Sequence, residues 1–384
     1  MPEGLSGAAA RGNVVVSQSK ENVVGFELPE YVDPEFASGP LASCPDARLE
    51  QVVKPGVAPA GYHATTIYPE YIKVEGRWLL ANESRMDCVI VVRDGGALEV
   101  KEFRRLEPGE RVVVGRSEDG SEGILVHAKG FSYDGGPNEP FVFRTGRTRE
   151  TAYSMDYDRL YDLLEFEREN GYVVWVLGPA VAFDSDSRQA MSGLIENGFV
   201  DAVLAGNALA THDLEASLFK TGLGQNIYTQ ASEPGGHYNH LDTLNMARDE
   251  GSTRDLIRRE GIENGIVAAC VQSGVPLVTA GSIRDDGPMP ETIADVYAAQ
   301  DAMRAHARKA TTLIALATQL HAIAAGNMTP SYQVVDGQVR PVYIYVVDVS
   351  EFAVNKLRDR GTLEVTSIVT NVQDFLVLLG RRLL

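Results

Sequence analysis

Beyond residue 156 the chain returns repeatedly to short strand-like runs, beginning with the wholly apolar Tyr172-Val173-Val174-Trp175-Val176-Leu177 and recurring at 200–204, 276–280, 342–347 and 364–369. A strand without polar alternation has no face to turn towards water, so these runs belong in a parallel sheet covered by helices on both sides. Helical patterns fill the gaps, at 157–170, 187–197, within 213–270, along one long stretch from 291 to 324, at 352–359 and at the end of the chain.

Upstream the texture differs. Alternating runs at 64–68, 71–74, 77–80, 89–92, 97–101 and 111–114 are separated by Glu75-Gly76, Asp94-Gly95-Gly96 and Glu107-Pro108-Gly109-Glu110, which are hairpin and turn signals. The expected organisation is a loosely docked or mobile extension over 1–48, a β-rich domain over 49–130, a Gly-rich linker over 131–155, and an α/β domain over 156–384. The fold class is therefore α/β: a Rossmann-like parallel sheet domain with a smaller N-terminal all-β domain. At 384 residues there is ample core for both.

Composition excludes several functions. The net charge of −18, without a basic stripe, disfavours nucleic acid as a partner. No apolar run approaches the ~18 residues of a membrane span, and the start Met1-Pro2-Glu3-Gly4 lacks the basic and apolar regions of a signal peptide, so a cytoplasmic location is expected. Cys44, Cys88 and Cys270 are odd in number and far apart, which argues against a disulfide framework or a cysteine zinc site.

Ligands of open α/β sheets bind beyond the carboxyl ends of the strands, where the chemistry-bearing residues should be sought. Gly281-Ser282-Ile283-Arg284-Asp285-Asp286-Gly287-Pro288 places a hydroxyl, a guanidinium and two carboxylates in one turn after a strand. Gly206-Asn207-Ala208, followed by His212-Asp213, could approach a phosphate at a helix amino terminus, or simply start a helix capped by Asp213. Gly326-Asn327-Met328-Thr329-Pro330 could grip a nucleotide or end a helix at glycine. Asp348 closes a strand where a dinucleotide fold places a ribose-binding acid, although it could equally be a turn or N-cap residue. No Gly-x-Gly-x-x-Gly follows any strand. His237 and His240 have a zinc-like spacing but no third ligand nearby, so no metal is expected. Cys270 lies in an apolar helix end and reads as a small buried hydrophobe.

Taken together, Thr65-Thr66-Ile67-Tyr68-Pro69, Arg85-Met86-Asp87, Gly206-Asn207-Ala208, His212-Asp213, Gly235-Gly236-His237, the 280–288 turn, Gly326-Asn327-Met328-Thr329-Pro330 and Asp359-Arg360-Gly361 resemble the archaeal-type ornithine cyclodeaminases. The same unit is similar to the C-terminal half of bifunctional arginine dihydrolase/ornithine cyclodeaminases, whose β-domain is called the LOR/SDH region. The resemblance runs from about residue 49 to the C-terminus.

The resemblance implies a bound NAD reused within each turnover: hydride leaves Cα of L-ornithine, the δ-amine closes on the imine, ammonia departs, and the hydride returns to give L-proline. It implies cofactor contacts at Asn207, Ala208, Asp286, Gly326, Asn327, Met328, Thr329, Asp348, Val369 and Thr370. Arg284 suits the substrate carboxylate, or else pairs with a neighbouring Asp to brace the turn, and Asp285, Asp286, His212 and Asp213 are candidates for amine recognition and proton transfer. The expected partners are a small amino-acid substrate and further copies of the chain in a homo-oligomer, with neither nucleic acid nor membrane. The chain also departs from the family: relatives carry His-Thr-Gly after the first Gly-Pro turn, where this sequence has Phe183-Asp184-Ser185. It also carries an additional loop over 331–341. A dehydrogenase or lyase acting on another amino acid or amino-acid conjugate is the alternative.

Overall fold

The strands of the N-terminal part are rich in β-branched residues and pair antiparallel across short turns. The computed structural model describes residues 25–132, 154–285, 287–350 and 362–384. Its first elements are β1 (Glu30–Tyr31), α1 (Gly39–Ala42), β2 (Arg48–Gln51), β3 (Glu70–Val74), β4 (Arg77–Leu80), β5 (Cys88–Val92), β6 (Leu98–Glu102), β7 (Arg111–Val114), β8 (Ile124–Val126) and β9 (Phe131–Ser132). Two sheets result, ordered β2-β7-β5-β6 and β4-β3-β8, and they share a core of Ile72, Ile90, Val113 and Ile124. The other side of β5 and β7 carries Val89, Val91 and Val112, packed with Val52 and Leu106. Burial on both sides explains why β5 lacks alternation. The run 64–68 is not a strand, because Thr65 and Thr66 are committed to local bonds: the Thr65 hydroxyl accepts from the Cys88 N–H at 3.1 Å, and the Thr66 N–H donates to Glu70.

The expected loose extension does not describe residues 25–47. Phe26 packs edge-on against Tyr343 with centroids 5.4 Å apart, β1 pairs with β9, and Phe36 stacks on Trp78 at 5.3 Å. Aromatic burial ties this segment down where its composition suggested mobility.

The second part contains α2 (Ser154–Asn170), β10 (Val173–Leu177), α3 (Ser185–Glu196), β11 (Ala202–Gly206), α4 (Asn207–Phe219), the short pair β12 (Thr221–Gly222) and β13 (Gln225–Asn226), α5 (Asn239–Glu250), α6 (Thr253–Glu260) and α7 (Ile266–Ser273). It continues with β14 (Leu277–Ala280), α8 (Val296–Ala307), β15 (Thr312–Leu316), α9 (Gln319–Met328), β16 (Tyr332–Val335), β17 (Gln338–Pro341), β18 (Tyr343–Asp348), β19 (Glu364–Val369) and α10 (Val372–Leu383). Six strands form one parallel sheet in the order β14-β11-β10-β15-β18-β19. Alternate residues of β10 feed opposite cores. Val173, Trp175 and Leu177 pack with α2, α3, α7 and α10, while Val174 and Val176 pack with α8 and α9. Among the described residues no helix is long and apolar enough to cross a membrane.

The single helix expected over 291–324 is instead α8, β15 and α9. Residues 310–317 are all apolar apart from Thr311 and Thr312, and a short apolar run buried on both faces cannot be told from helix by periodicity. The β-branched Thr311-Thr312 pair and the improbable helix length were the available signals. The helix expected at 352–359 and the Asp359-Arg360-Gly361 motif lie outside the described residues. The 331–341 loop is the hairpin β16–β17.

That hairpin joins the two halves of the chain. The hydroxyl of Tyr332, which is fully buried, donates to the Ala81 carbonyl and accepts from the Glu70 N–H at 3.4 Å, while the Ser331 N–H donates to the Ser84 carbonyl at 3.0 Å. Tyr332→Phe leaves two buried backbone groups without this partner and should destabilise the protein by about 1–3 kcal/mol. Chemical denaturation of both forms checks this, and equal midpoints would show that the hydroxyl contributes nothing.

Candidate active site

In chain order the parallel sheet reads 3-2-1-4-5-6, so consecutive connections leave β10 and β15 towards opposite faces and open a crevice at their carboxyl ends. Glycine is required there. A Cβ on Gly178 would stand 1.9 Å from the Ala317 carbonyl oxygen, and Ala317 itself is left-handed at φ 48°. The Gly178 N–H donates to Leu316 O at 2.8 Å and the Ala317 N–H to Val347 O at 3.0 Å, which pins three strand ends together. Thr318 then caps α9 without a side-chain bond to the first turn, so no side chain answers the amino-terminal N–H groups of that helix.

On the β11 side, Gly206 caps α4 and Asn207 and Ala208 form its first turn. The Asn207 side-chain amide oxygen Oδ1 accepts from the Met289 N–H at 2.9 Å and the Thr292 hydroxyl at 3.3 Å, fixing the chain that follows β14. A Cβ on Gly206 would lie 2.9 Å from Cε1 of His321, so the ring from the first turn of α9 covers this strand end. Burial holds the His321 pKa below its usual value, opposed by the carboxylate of Asp285. Asp285 accepts from the Ser282 N–H at 2.8 Å.

One turn further along α4, His212 Nδ1 meets Glu215 Oε2 at 2.8 Å. Glu215 is completely buried and also accepts from the Thr221 hydroxyl at 2.8 Å and from the N–H groups of Gly224 and Leu223 at 3.1 and 3.2 Å. Burial pushes its pKa up, but these donors and His212 outweigh that and hold it below the usual range. An ionised Glu215 therefore accepts a hydrogen bond from Nδ1–H, which fixes the tautomer of the neutral ring with the lone pair on Nε2. Phe183 presents its ring to His212 at 5.4 Å, and His240 approaches at 6.0 Å with a buried Nδ1 that has no hydrogen-bond partner. Glu215 was missed in the sequence; its i,i+3 spacing from His212 was the signal.

Other expected residues fall elsewhere. His212 and Asp213 lie inside α4, so Asp213 is not a helix cap. Asp213 has no exposure and faces away from the cluster, accepting from Arg188 Nε and the Val267 N–H, both at 2.8 Å. It braces α3 against α7. The Gly326-Asn327-Met328 turn ends α9, with Thr329 its C-cap. At 1.5 Å per residue it stands about 15 Å from the amino terminus of that helix, at the opposite edge of the sheet from Asn207 and Asp348. The residues of α9 that reach the crevice are Thr318 to His321. Arg284 is exposed and forms no ion pair among the described residues, while Asp286 lies outside them. Asp348 Oδ1 accepts from the Ser350 N–H at 2.8 Å, and the Thr370 N–H after Val369 donates to the Asp348 carbonyl at 3.2 Å.

Two glycines explain another expected motif. A Cβ on Gly236 would stand 2.5 Å from the Gly224 carbonyl oxygen, so this pair lets two turns touch, and His237 stacks outward on Tyr238 at 4.2 Å. No group of three His, Cys, Asp or Glu suited to a metal occurs among the described residues. Burial pushes the Cys270 thiol up to about 12, with Asp213 reinforcing it, as expected of a packing cysteine.

A parallel sheet of this order, with open helix termini and an acid at its carboxyl edge, defines a Rossmann-fold protein. The profile described as "Arginine dihydrolase ArgZ-like, C-terminal, Rossmann fold" matches residues 160–379, and its companion "first region" matches 69–143. An ornithine cyclodeaminase of Methanopyrus kandleri is 38% identical over 86% of this chain and 77% of its own. The crystal structure of a conserved putative LOR/SDH protein from Methanococcus maripaludis superposes with TM-score 0.80 at 34% identity, covering 88% of this chain and 98% of that one. The complex of AgrE with ornithine and NAD+ matches with TM-score 0.54 at 31% identity over 89% of this chain and 46% of that one. The chain belongs to the ArgZ-like, ornithine cyclodeaminase family.

If Asp213 is a brace, its loss is felt by the fold before the chemistry. Asp213→Ala leaves the Arg188 guanidinium buried without its acid and should destabilise by about 3–5 kcal/mol. A thermal melt that matches the parent while activity falls would instead make Asp213 a participant.

Proposed function

We propose that this protein is an NAD-dependent ornithine cyclodeaminase, converting L-ornithine to L-proline and ammonia by internal hydride transfer. The observation that carries the reading is the His212–Glu215 pair, a base of fixed tautomer placed at the strand ends beside a dinucleotide-type crevice. The complex of its relative AgrE with ornithine and NAD+ supports both the cofactor and the substrate class.

The residues present fit the dinucleotide. The first turn of α4 offers N–H groups at Asn207 and Ala208 without intrahelical acceptors, next to a glycine that lets a phosphate approach. Asp348 uses one oxygen for Ser350, leaving the other for a ribose hydroxyl, and its charge would repel the 2′-phosphate of NADP. Val369, Thr370 and the first turn of α9 complete the rim, and Asp286 joins them by resemblance. NAD would supply the hydride acceptor and donor.

The chain's own groups do the rest. Arg284, free of ion pairs among the described residues, receives the substrate carboxylate, and Asp285 offers its charge to an ammonium group. His212 Nε2 accepts a proton from the amine, with Glu215 as its positioning residue. Phe183 and the covering His321 ring keep water from the strand end.

A second reading is favoured by Phe183. A phenyl edge against His212 offers no hydrogen bond to a second amine, which suits a different amino acid or conjugate handled by a dehydrogenase or lyase. Incubation with NAD+ and L-ornithine should release ammonia and proline in equal amounts, seen by mass spectrometry, with no net gain of NADH absorbance. NADH rising in proportion to product points to the second reading. Arg284→Lys retains charge but loses the planar fork, so kcat/KM should fall by about tenfold or more with the fold intact. Undiminished turnover in that variant removes Arg284 from carboxylate binding.

A further inference from the structure

Between the β-rich half and α8–α9 lies a cavity of about 200 Å³, lined by Arg85, Asp87, Glu102, Gln300, Arg304 and the last turn of α9 at Asn327. It sits one helix length of α9 away from the strand-end crevice, and it gathers two sequence motifs that the proposed chemistry does not use, Arg85-Met86-Asp87 and Gly326-Asn327-Met328.

Arginines gather here, two of them on the cavity wall together with the Glu102 and Asp87 carboxylates. Arg85 and Arg304 are 4% and 5% exposed, and both converge on Glu102, Arg304 Nε at 2.8 Å. Arg104, Arg105 and Arg304 share Asp301 at 2.6, 2.8 and 3.0 Å, and Arg105 also reaches Glu102 at 3.7 Å. Four guanidiniums thus share two carboxylates, in a protein whose net charge is −18. The imbalance is felt within the cluster. Burial pulls the Arg304 guanidinium below its usual pKa, and the Arg85, Arg105 and Arg104 charges reinforce this against the pull of Glu102. At the rim Asp87 is held left-handed at φ 64°, a conformation that costs a non-glycine residue free energy and is retained where the surroundings impose it.

We propose that this cavity binds a small oxyanion, a phosphate or a carboxylate, whose charge is taken by Arg85 and Arg304 and whose remaining oxygens accept from the amides of Gln300 and Asn327. An anion at the base relieves the repulsion among the four arginines and clamps the β-rich half to α8 and α9. This site is independent of the strand-end site and of the reaction proposed for it.

Thermal melts of the full chain, titrated separately with sodium phosphate and sodium succinate against sodium chloride at equal ionic strength, test it. A saturable rise in Tm of at least about 2 °C is expected with one of the two. Phosphate alone, or succinate alone, identifies the source of the oxyanion. Gln300→Glu gives Arg104 a charged partner, retains the side-chain shape and fills the cavity with negative charge, so it should fold and lose the rise. Asn327→Asp, on an exposed helix end, should lose it as well. No rise with either anion, or a rise that persists undiminished in both variants, overturns the proposal.

Discussion

At the centre of the parallel sheet, the chain leaving β10 passes the chain leaving β15 so closely that one added carbon at Gly178 would collide with the Ala317 carbonyl. Everything at the carboxyl edge depends on that crossing. It sends α3 and α9 to opposite faces, opens the crevice between them, and aims the first turn of α9 back over Gly206. A side chain at 178 would have to separate the strands whose bonds to Leu316 and Val347 hold the edge together.

Helix α4 shows how one element serves chemistry and stability at once. On one face His212 and Glu215 form a buried pair with a defined tautomer. On the adjacent position Asp213 is committed to Arg188 and the amino terminus of α7. Each carboxylate is fully buried, and each is met by several donors. The difference in role follows from what lies beyond the partner. Beyond His212 are Phe183 and His240, whereas Arg188 goes on to the Ser217 and Asn264 side chains.

Besides the apolar packing of Phe26 on Tyr343, polar contacts join the two halves of the chain. Tyr332 and Ser331 reach backbone groups of the β-rich part, Arg308 pairs with Glu83, and the arginine cluster bridges Glu102 to α8. Burial raises the pKa of Glu102, but Arg85 and Arg304 hold it below the usual carboxylate range. A carboxylate depressed in this way contributes stability above its unfolded pKa, and the contribution is lost as the pH falls through the folded value. Acid therefore weakens this junction.

Much of this was legible in the residues themselves. The apolar runs 172–177 and 342–347 pointed to a parallel sheet, because such strands can exist only where both faces are covered. Strand-end residues such as Asn207, Asp285 and Asp348 followed from the rule that ligands bind at carboxyl ends. The central strand β15 escaped, since a short apolar run reads alike as strand or buried helix until its neighbours are known. With β15 unseen, the turn at 326–329 seemed to face the site, when it ends a helix that begins there. Tertiary structure alone decided which of two adjacent residues, His212 or Asp213, meets the Phe183 and His240 rings and which braces Arg188, because helix phase relative to the sheet is set by packing and not by local sequence.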